Sequence, residues 1–284
     1  MNIGIVGLGL IGGSLGFEFR AHGHHVLGVS RKGETCITAQ EKGVVDRADT
    51  DLALMQDADV VFLCTPLGAI PTTTTSLIPH LKPDTVLTDV GSVKQWVVEY
   101  LSPRWPNFIG GHPMAGTADS GIEAAQTDLF TGAAYVLTPT ETTPPIALET
   151  VEALIQPLQT RIYHCSPEDH DRAVAWISHL PVMISASLIG ACMSEPEARV
   201  LQLAIDLASS GFRDTSRVGG GNPDLGPMMA QYNRPALLTA LHSYRQQLDQ
   251  VIACVEQENW PALTAYLQTT HQARPRFVAR PPDR

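Results

Sequence analysis

Cysteine is sparse and unpaired in this chain: five residues, at 36, 64, 165, 192 and 254, odd in number and without a Cys-x-x-Cys or Cys/His ligand spacing. Neither a disulfide framework nor a zinc site is indicated, no metal is expected, and the thiols read as buried groups of a reducing compartment. Basic charge is short as well. Nineteen Lys and Arg face 29 Asp and Glu, a net charge of −10, which argues against a nucleic-acid or anionic-membrane partner. No basic segment followed by an apolar core opens the chain, and no uninterrupted apolar run reaches spanning length, so a cytoplasmic protein is expected. Internal repeats and long low-complexity stretches are lacking, and Thr72-Thr73-Thr74-Thr75 is expected in or beside a helix. From Ser166 to Arg284 there is no lysine.

What is present is a long apolar chain. At 284 residues it fits two domains better than one core, and 44% hydrophobic with 17% charged residues is the balance of a folded soluble protein. Strand-like runs at 2–6, 25–29, 60–64, 85–89, 107–110, 134–138 and 161–163 alternate with helical or polar segments. This rhythm predicts an α/β fold with a Rossmann-type, mostly parallel sheet. Its ligand loops are expected at the carboxyl ends of strands: Thr65-Pro66-Leu67, Val90-Gly91-Ser92 and Gly111-His112-Pro113. From Ser166, a helix cap, no strand pattern returns; helices are expected at 167–193 with a kink at Pro181, then 196–210, 224–231, 235–258 and 261–272. The division is therefore 1–165, a dinucleotide-binding domain, and 166–284, an all-α domain. Ala186, Leu188, Ile189 and Ala191 are apolar almost all round their helix, which points to a homodimer interface there. The basic, proline-rich end from Arg274 to Arg284 reads as a loose end or a segment laid on a partner.

The strongest local signal is Gly7-Leu8-Gly9-Leu10-Ile11-Gly12 between the strand Asn2–Val6 and a helical stretch. Gly7 permits the tight turn, Gly9 lets backbone approach a pyrophosphate, and Gly12 lets helix sit close on strand. Leu10 and Ile11 at the helix start, with Thr65 and Pro66 after a neighbouring strand, complete the expected cofactor contacts. After Val26-Leu27-Gly28-Val29 comes Ser30-Arg31-Lys32 in place of a carboxylate. Ser30 and Arg31, with Thr35 nearby, suit a ribose 2′-phosphate, so NADP is expected over NAD. The alternative is that Arg31 and Lys32 are solvated charges opening a helix.

Gly110-Gly111-His112-Pro113-Met114-Ala115-Gly116 sets a histidine at the sheet's mouth among small residues that leave room for a cofactor ring and a substrate. Neutral imidazole can take the proton of an alcohol as hydride is abstracted, so the rate is expected to fall as His112 is protonated across the usual histidine range. Gly211-Phe212-Arg213-Asp214-Thr215-Ser216-Arg217, before a glycine turn, carries two guanidinium groups four residues apart. One is expected to grip a substrate carboxylate while the other pairs with Asp214; the alternative for both is an interdomain brace.

Together the N-terminal glycine fingerprint, Asp89-Val90-Gly91-Ser92-Val93-Lys94, the Gly110–Gly116 run, Ser178-His179-Leu180-Pro181 and Phe212–Arg217 resemble the prephenate/arogenate dehydrogenases of tyrosine biosynthesis, the TyrA family. The resemblance runs in order along nearly the whole chain. It implies oxidative decarboxylation of a cyclohexadienyl substrate bearing a 4-hydroxyl. His112 would bond that hydroxyl and help remove its proton, and Arg217 would bind a carboxylate. Ser92 would lie near the hydroxyl and nicotinamide, or else cap a helix beginning near Val93. His179 would belong to the substrate pocket, or else be a buried histidine bonded to backbone. Where relatives that use prephenate often carry a second histidine after His-Leu-Pro, this chain has Val182. That departure, with Ser30 and Arg31, tilts the expectation toward L-arogenate and NADP. A β-hydroxyacid or imine reductase is the other enzyme reading, disfavoured in the hydroxyacid case by the missing helical-domain lysine; a non-catalytic NADP sensor is the reading from another class.

Overall fold

Alternation of buried side chains builds the centre of the molecule. The computed structural model describes residues 1–117 and 119–278. In chain order the first elements are β1 (Asn2–Val6), α1 (Leu10–Ala21), β2 (His25–Val29), α2 (Gly33–Glu41), β3 (Arg47–Asp49), β4 (Val60–Leu63), α3 (Ile70–Leu77), β5 (Val86–Asp89) and α4 (Gln95–Leu101). Then follow β6 (Phe108–Pro113), β7 (Ala134–Thr138), α5 (Pro145–Ile155) and β8 (Arg161–His164). Ile3, Ile5, Val60 and Phe62 enter one core cluster, and Val6, Val61 and Leu63 enter another, as the period of two along a strand requires of a sheet covered on both faces. Each such buried side chain contributes about 1.5–3 kcal/mol, so a one-residue slip in register would forfeit several at once.

The eight strands lie in the order β3-β2-β1-β4-β5-β6-β7-β8, all neighbours parallel except the antiparallel β6–β7 pair. The chain leaves β1 toward β2 on one side and returns to β4 on the other. A crevice therefore opens at the carboxyl ends of β1 and β4, the usual ligand position in such sheets. Two sequence expectations change. An eighth strand, β3, is present; it is too short, at three residues, and too polar to show an apolar period. His112 lies inside β6, as its fifth residue, rather than in a loop after it, because pairing with β7 carries the strand through Pro113.

Beyond β8 the chain is helical: α6 (Pro167–Val174), a π-helical turn at Ala175–His179, α7 (Leu180–Met193), α8 (Ala198–Leu207), α9 (Ser210–Ser216), α10 (Leu225–Tyr232), α11 (Arg234–Glu256), α12 (Trp260–Ala273) and α13 (Pro275–Val278). The disturbance predicted at Pro181 takes the form of the π turn just before it. Proline has no N–H for the carbonyl four residues back, and a wider turn relieves the ring's clash with that carbonyl. From Pro167 to Met193 the helical run is 27 residues long, and its most apolar 18-residue window has a mean hydropathy of 1.6, enough to cross a membrane by length and composition alone, although the charged first turns and His179 interrupt the apolar run. Its start carries buried His170 and Asp171, both bonded inside the protein. The stretch from Gly211, expected to lie between helices, continues from Ser210 as a short helix to Ser216 instead.

By its contacts the chain forms two compact units, Met1–Ala236 and Leu237–Arg284. The first unit runs past the change of pattern at Ser166 because α6 packs on α4 and β7. The second comprises most of α11 with α12 and α13. The chain end from Ala279, part of the basic tail singled out above, lies outside the described residues.

Candidate active site

The glycines around β1 are each held to a different demand. Gly7 has φ +108°, donates its N–H to Val29 O at 2.8 Å, and a Cβ there would lie 2.6 Å from Cys64 O. A Cβ on Gly12 would strike Gly7 O, so the first turn of α1 can ride on the strand only without a side chain. At Gly9 nothing lies within 4 Å of a Cβ position, and α1 begins at the next residue with Leu10 and Ile11 half-buried. Open space above bare backbone, facing the N–H groups of a twelve-residue helix, fits a pyrophosphate. Across the crevice Thr65 Oγ1 is buried without a hydrogen-bond partner among the described residues, beside exposed Pro66.

At the end of β2, Ser30 is half-buried, its N–H donates to Asp49 O at 3.2 Å, and its hydroxyl accepts from Lys32 N at 3.4 Å. Arg31 is exposed and Thr35 half-buried in the first turn of α2. A carboxylate is nevertheless nearby. Asp49, on the unexpected strand β3, pairs in register with Val29, and its Oδ1 accepts from Thr50 N at 2.6 Å and Asp51 N at 3.2 Å. The sequence placed no acid here because it arrives from the neighbouring strand.

His112 is buried, and its surroundings were largely invisible in sequence. Its Nδ1 lies 2.8 Å from Nε2 of His170, whose Nδ1 lies 2.7 Å from Oδ1 of Asp171. Oδ1 and Oδ2 of Asp171 also accept from the backbone N–H groups of Lys94 and Gln95, at 2.7 and 2.9 Å. The start of α4 is thus capped from α6, across 77 residues of sequence, and not by Ser92. Ser92 is half-buried and its hydroxyl makes no hydrogen bond among the described residues, leaving it available to a ligand. Asn233 Nδ2 donates to the carbonyl of Asp171 at 2.7 Å and lies 3.1 Å from His179 Nδ1. His179, on the π turn, is fully buried and its Nε2 has no hydrogen-bond partner among the described residues.

A second buried group fixes the β5–α4 loop. Lys94 Nζ pairs with Asp89 Oδ2 and donates to Gly111 O at 2.7 Å, while Asp89 accepts from Gly91 N at 2.8 Å and Gly111 N at 3.2 Å. Both side chains are fully buried. Burial disfavours each charge, lowering the Lys94 pKa and raising that of Asp89, and their mutual attraction works against both shifts. The glycines beside His112 serve this packing rather than leaving room for a ring: a Cβ at Gly110 would lie 2.5 Å from Thr138 Oγ1, and one at Gly111 2.8 Å from Asp89 O.

Burial, then the nearby His170, Lys94 and His179, hold the His112 pKa well below 6.5. Burial likewise takes His179 down to about 4, against an opposing pull from Asp171. Both imidazoles are therefore neutral at neutral pH.

Arg217 follows α9, exposed and without an ion pair among the described residues. Two residues on, Gly219 N donates to Ser185 Oγ at 2.8 Å, and a Cβ on Gly219 would strike the backbone of Ala186, so this turn is pinned to α7, the helix that starts beside His179. Arg213 pairs with adjacent Asp214 at 3.3 Å, both about three-quarters exposed. It is not drawn into the cluster around His112.

Sequence reading singled out His112, Ser92 and His179; it did not single out His170, Asp171 or Asn233, nor pair Lys94 with Asp89. One signal was available. His170 and Val174, and Asp171 and Ala175, are spaced by four residues, one face of a helix, and both apolar members are buried.

Residues 15–164 match the family described as prephenate dehydrogenase, nucleotide-binding domain, and residues 166–269 the family described as prephenate dehydrogenase, dimerization domain. The chain is 32% identical over 280 residues to a prephenate dehydrogenase of Bacillus subtilis, covering 95% of this chain and 74% of that protein. Among solved structures it is similar to Synechocystis arogenate dehydrogenase, at 55% identity and a TM-score of 0.88 over 98% of this chain and 100% of that one. It is also similar to prephenate dehydrogenase from A. aeolicus in complex with hydroxyphenyl propionate and NAD+, at 28% identity and a TM-score of 0.91 over 96% of this chain and 97% of that one.

Proposed function

We propose, since this chain belongs to the prephenate dehydrogenase family, that it oxidatively decarboxylates L-arogenate to L-tyrosine with NADP. The observation that carries the chemistry is His112, buried and neutral at the mouth of the sheet with its Nδ1 already engaged. Its Nε2 takes up the 4-hydroxyl proton while hydride leaves the same carbon, and the bond to the ring carboxylate breaks to release carbon dioxide. The ring becomes a phenol and the borrowed proton returns to its oxygen. A pyridine nucleotide bound over Gly9 supplies the hydride acceptor. Arg217 meets a substrate carboxylate and Ser92 orients the hydroxyl; Arg213, bound to Asp214, stands back from both.

The choice of arogenate is supported by 55% identity to the Synechocystis arogenate dehydrogenase and by Val182 in the helix of His179. The choice of NADP is supported by Ser30 and by exposed Arg31, which makes no ion pair among the described residues. A specific observation favours a second reading, prephenate with NAD: Asp49 lies beside Ser30, and the A. aeolicus prephenate dehydrogenase is in complex with NAD+. We further propose a domain division at 165/166, a cytoplasmic setting in keeping with five free cysteines, and a homodimer through the helical region.

Comparing kcat/KM for arogenate and prephenate, each with NADP and NAD, tests the reading. The highest value is expected for arogenate with NADP. A higher value for either other substrate or coenzyme overturns that half of the proposal, and coenzyme binding without any reduced nicotinamide formed makes the protein a sensor.

A further inference from the structure

Hydrogen-bond chemistry assigns the protons on the three buried histidines. The Asp171 carboxylate only accepts, so His170 carries its proton on Nδ1 and presents a lone pair at Nε2. His112, 2.8 Å away, must then donate from Nδ1, which leaves its Nε2 free to accept. The other branch starts from the Asp171 carbonyl, also an acceptor only. Of the Asn233 amide, the nitrogen must face it, and the same nitrogen lies 3.1 Å from His179 Nδ1. That ring atom is then the acceptor, so the His179 proton sits on Nε2, the buried atom without a partner among the described residues.

We infer that Asp171 anchors two buried histidines in opposite tautomers, through His170 holding His112 as an acceptor at Nε2 and through Asn233 holding His179 as a donor at Nε2. His170, Asp171 and Asn233 are positioning residues that act through the two rings. Resting on the proposed reaction, the assignment gives the rings unlike tasks: His112 takes the hydroxyl proton, and His179 donates to a substrate oxygen. An ammonium cannot be read by an N–H, so His179 recognises a carboxylate or carbonyl oxygen and any substrate amine is met elsewhere. When His112 gains its proton, the chain through His170 ends on a carboxylate that is already bonded to Lys94 N and Gln95 N, and so stays where it is. The charged and titratable groups facing His112 are Lys94 and Asp89 from the β5–α4 side, His170 and Asp171 from α6, and His179 from the π turn.

The tautomers can be read without turnover, by 15N NMR of histidine-labelled full-length protein at neutral pH, with His112→Ala and His179→Ala variants identifying the two rings. Protonated Nδ1 on His112 and protonated Nε2 on His179 are expected. The reverse state on either ring overturns the inference, whether or not the protein proves to use arogenate. Kinetics then separate position from folding. His170→Leu removes the acceptor for His112, whereas His170→Gln can offer an amide oxygen in its place. The leucine variant should lose on the order of 10²-fold in kcat with KM little changed, a loss of the size general-base catalysis commands. The glutamine variant should recover part of it. Equal losses in both variants, or an unchanged kcat in His170→Leu, would remove His170 from this role.

Discussion

A base buried in protein works only while it stays uncharged, and His112 is uncharged over a wider range than free histidine. Its imidazolium is opposed first by burial and then by His170, Lys94 and His179. Protonation therefore begins only well below 6.5, and with it the loss of the acceptor. As pH falls from neutral, kcat/KM should stay level through 6.5 and decline on further acidification. The sequence put that decline in the ordinary histidine range; burial moves it downward. His112→Ala should lower kcat by about 10²–10⁴-fold while leaving coenzyme affinity little changed, as steady-state kinetics and fluorescence titration of the reduced coenzyme would show. A decline centred at or above 6.5, or undiminished turnover in the variant, would refute the assignment. Residues bearing on this site were legible where a local motif carried them, as with His112 between glycines. Asp171 was not. It sits in the first two turns after a Ser166 cap, beside Glu168 and Asp169, and reads there as one more acid at a solvated helix start.

Elements place these side chains through close backbone approaches. The turn after Arg217 is the clearest case, because Gly219 lies against the Ser185–Ala186 backbone of α7 with no room for a methyl group. Gly219→Ala should push this turn away from α7 and carry Arg217 with it. We expect KM for the dienyl acid to rise about tenfold, in keeping with overpacking costs of about 1–3 kcal/mol, with KM for the coenzyme unchanged. Parallel kinetic titrations of substrate and coenzyme measure both; a rise in the coenzyme KM alone would contradict the placement. Helices and strands with a clear apolar period were recognised within a few residues. β3, the π turn and α9 were not, since each is short and owes its conformation to a neighbour: β2 for the strand, Pro181 for the turn, α7 for the helix that precedes Gly219.

At the scale of the molecule, α8 buries none of its residues, and Val200, Leu203, Ile205 and Leu207 are exposed on it. Water is a poor neighbour for so many large apolar side chains on one helix, and a second copy of the chain is the proposed cover. Leu203→Glu should convert a dimer to monomer in light scattering after size-exclusion chromatography. A wild-type monomer at the same concentration would refute the proposed homodimer, and a dimer unaffected by the variant would move its interface off α8.

The sequence by itself determined the nucleotide cradle, the βα alternation and the helical region after Ser166, because these follow from local periodicity and from backbone demands that glycine, proline and capping residues meet within a few positions. Only the tertiary structure decided that β7 turns antiparallel to β6 and draws His112 into a strand, that Asp49 reaches the end of β2, and which of ten histidines are tied to one carboxylate. Those outcomes depend on pairings between distant segments, set by which surfaces bury each other, and no short-range pattern encodes them.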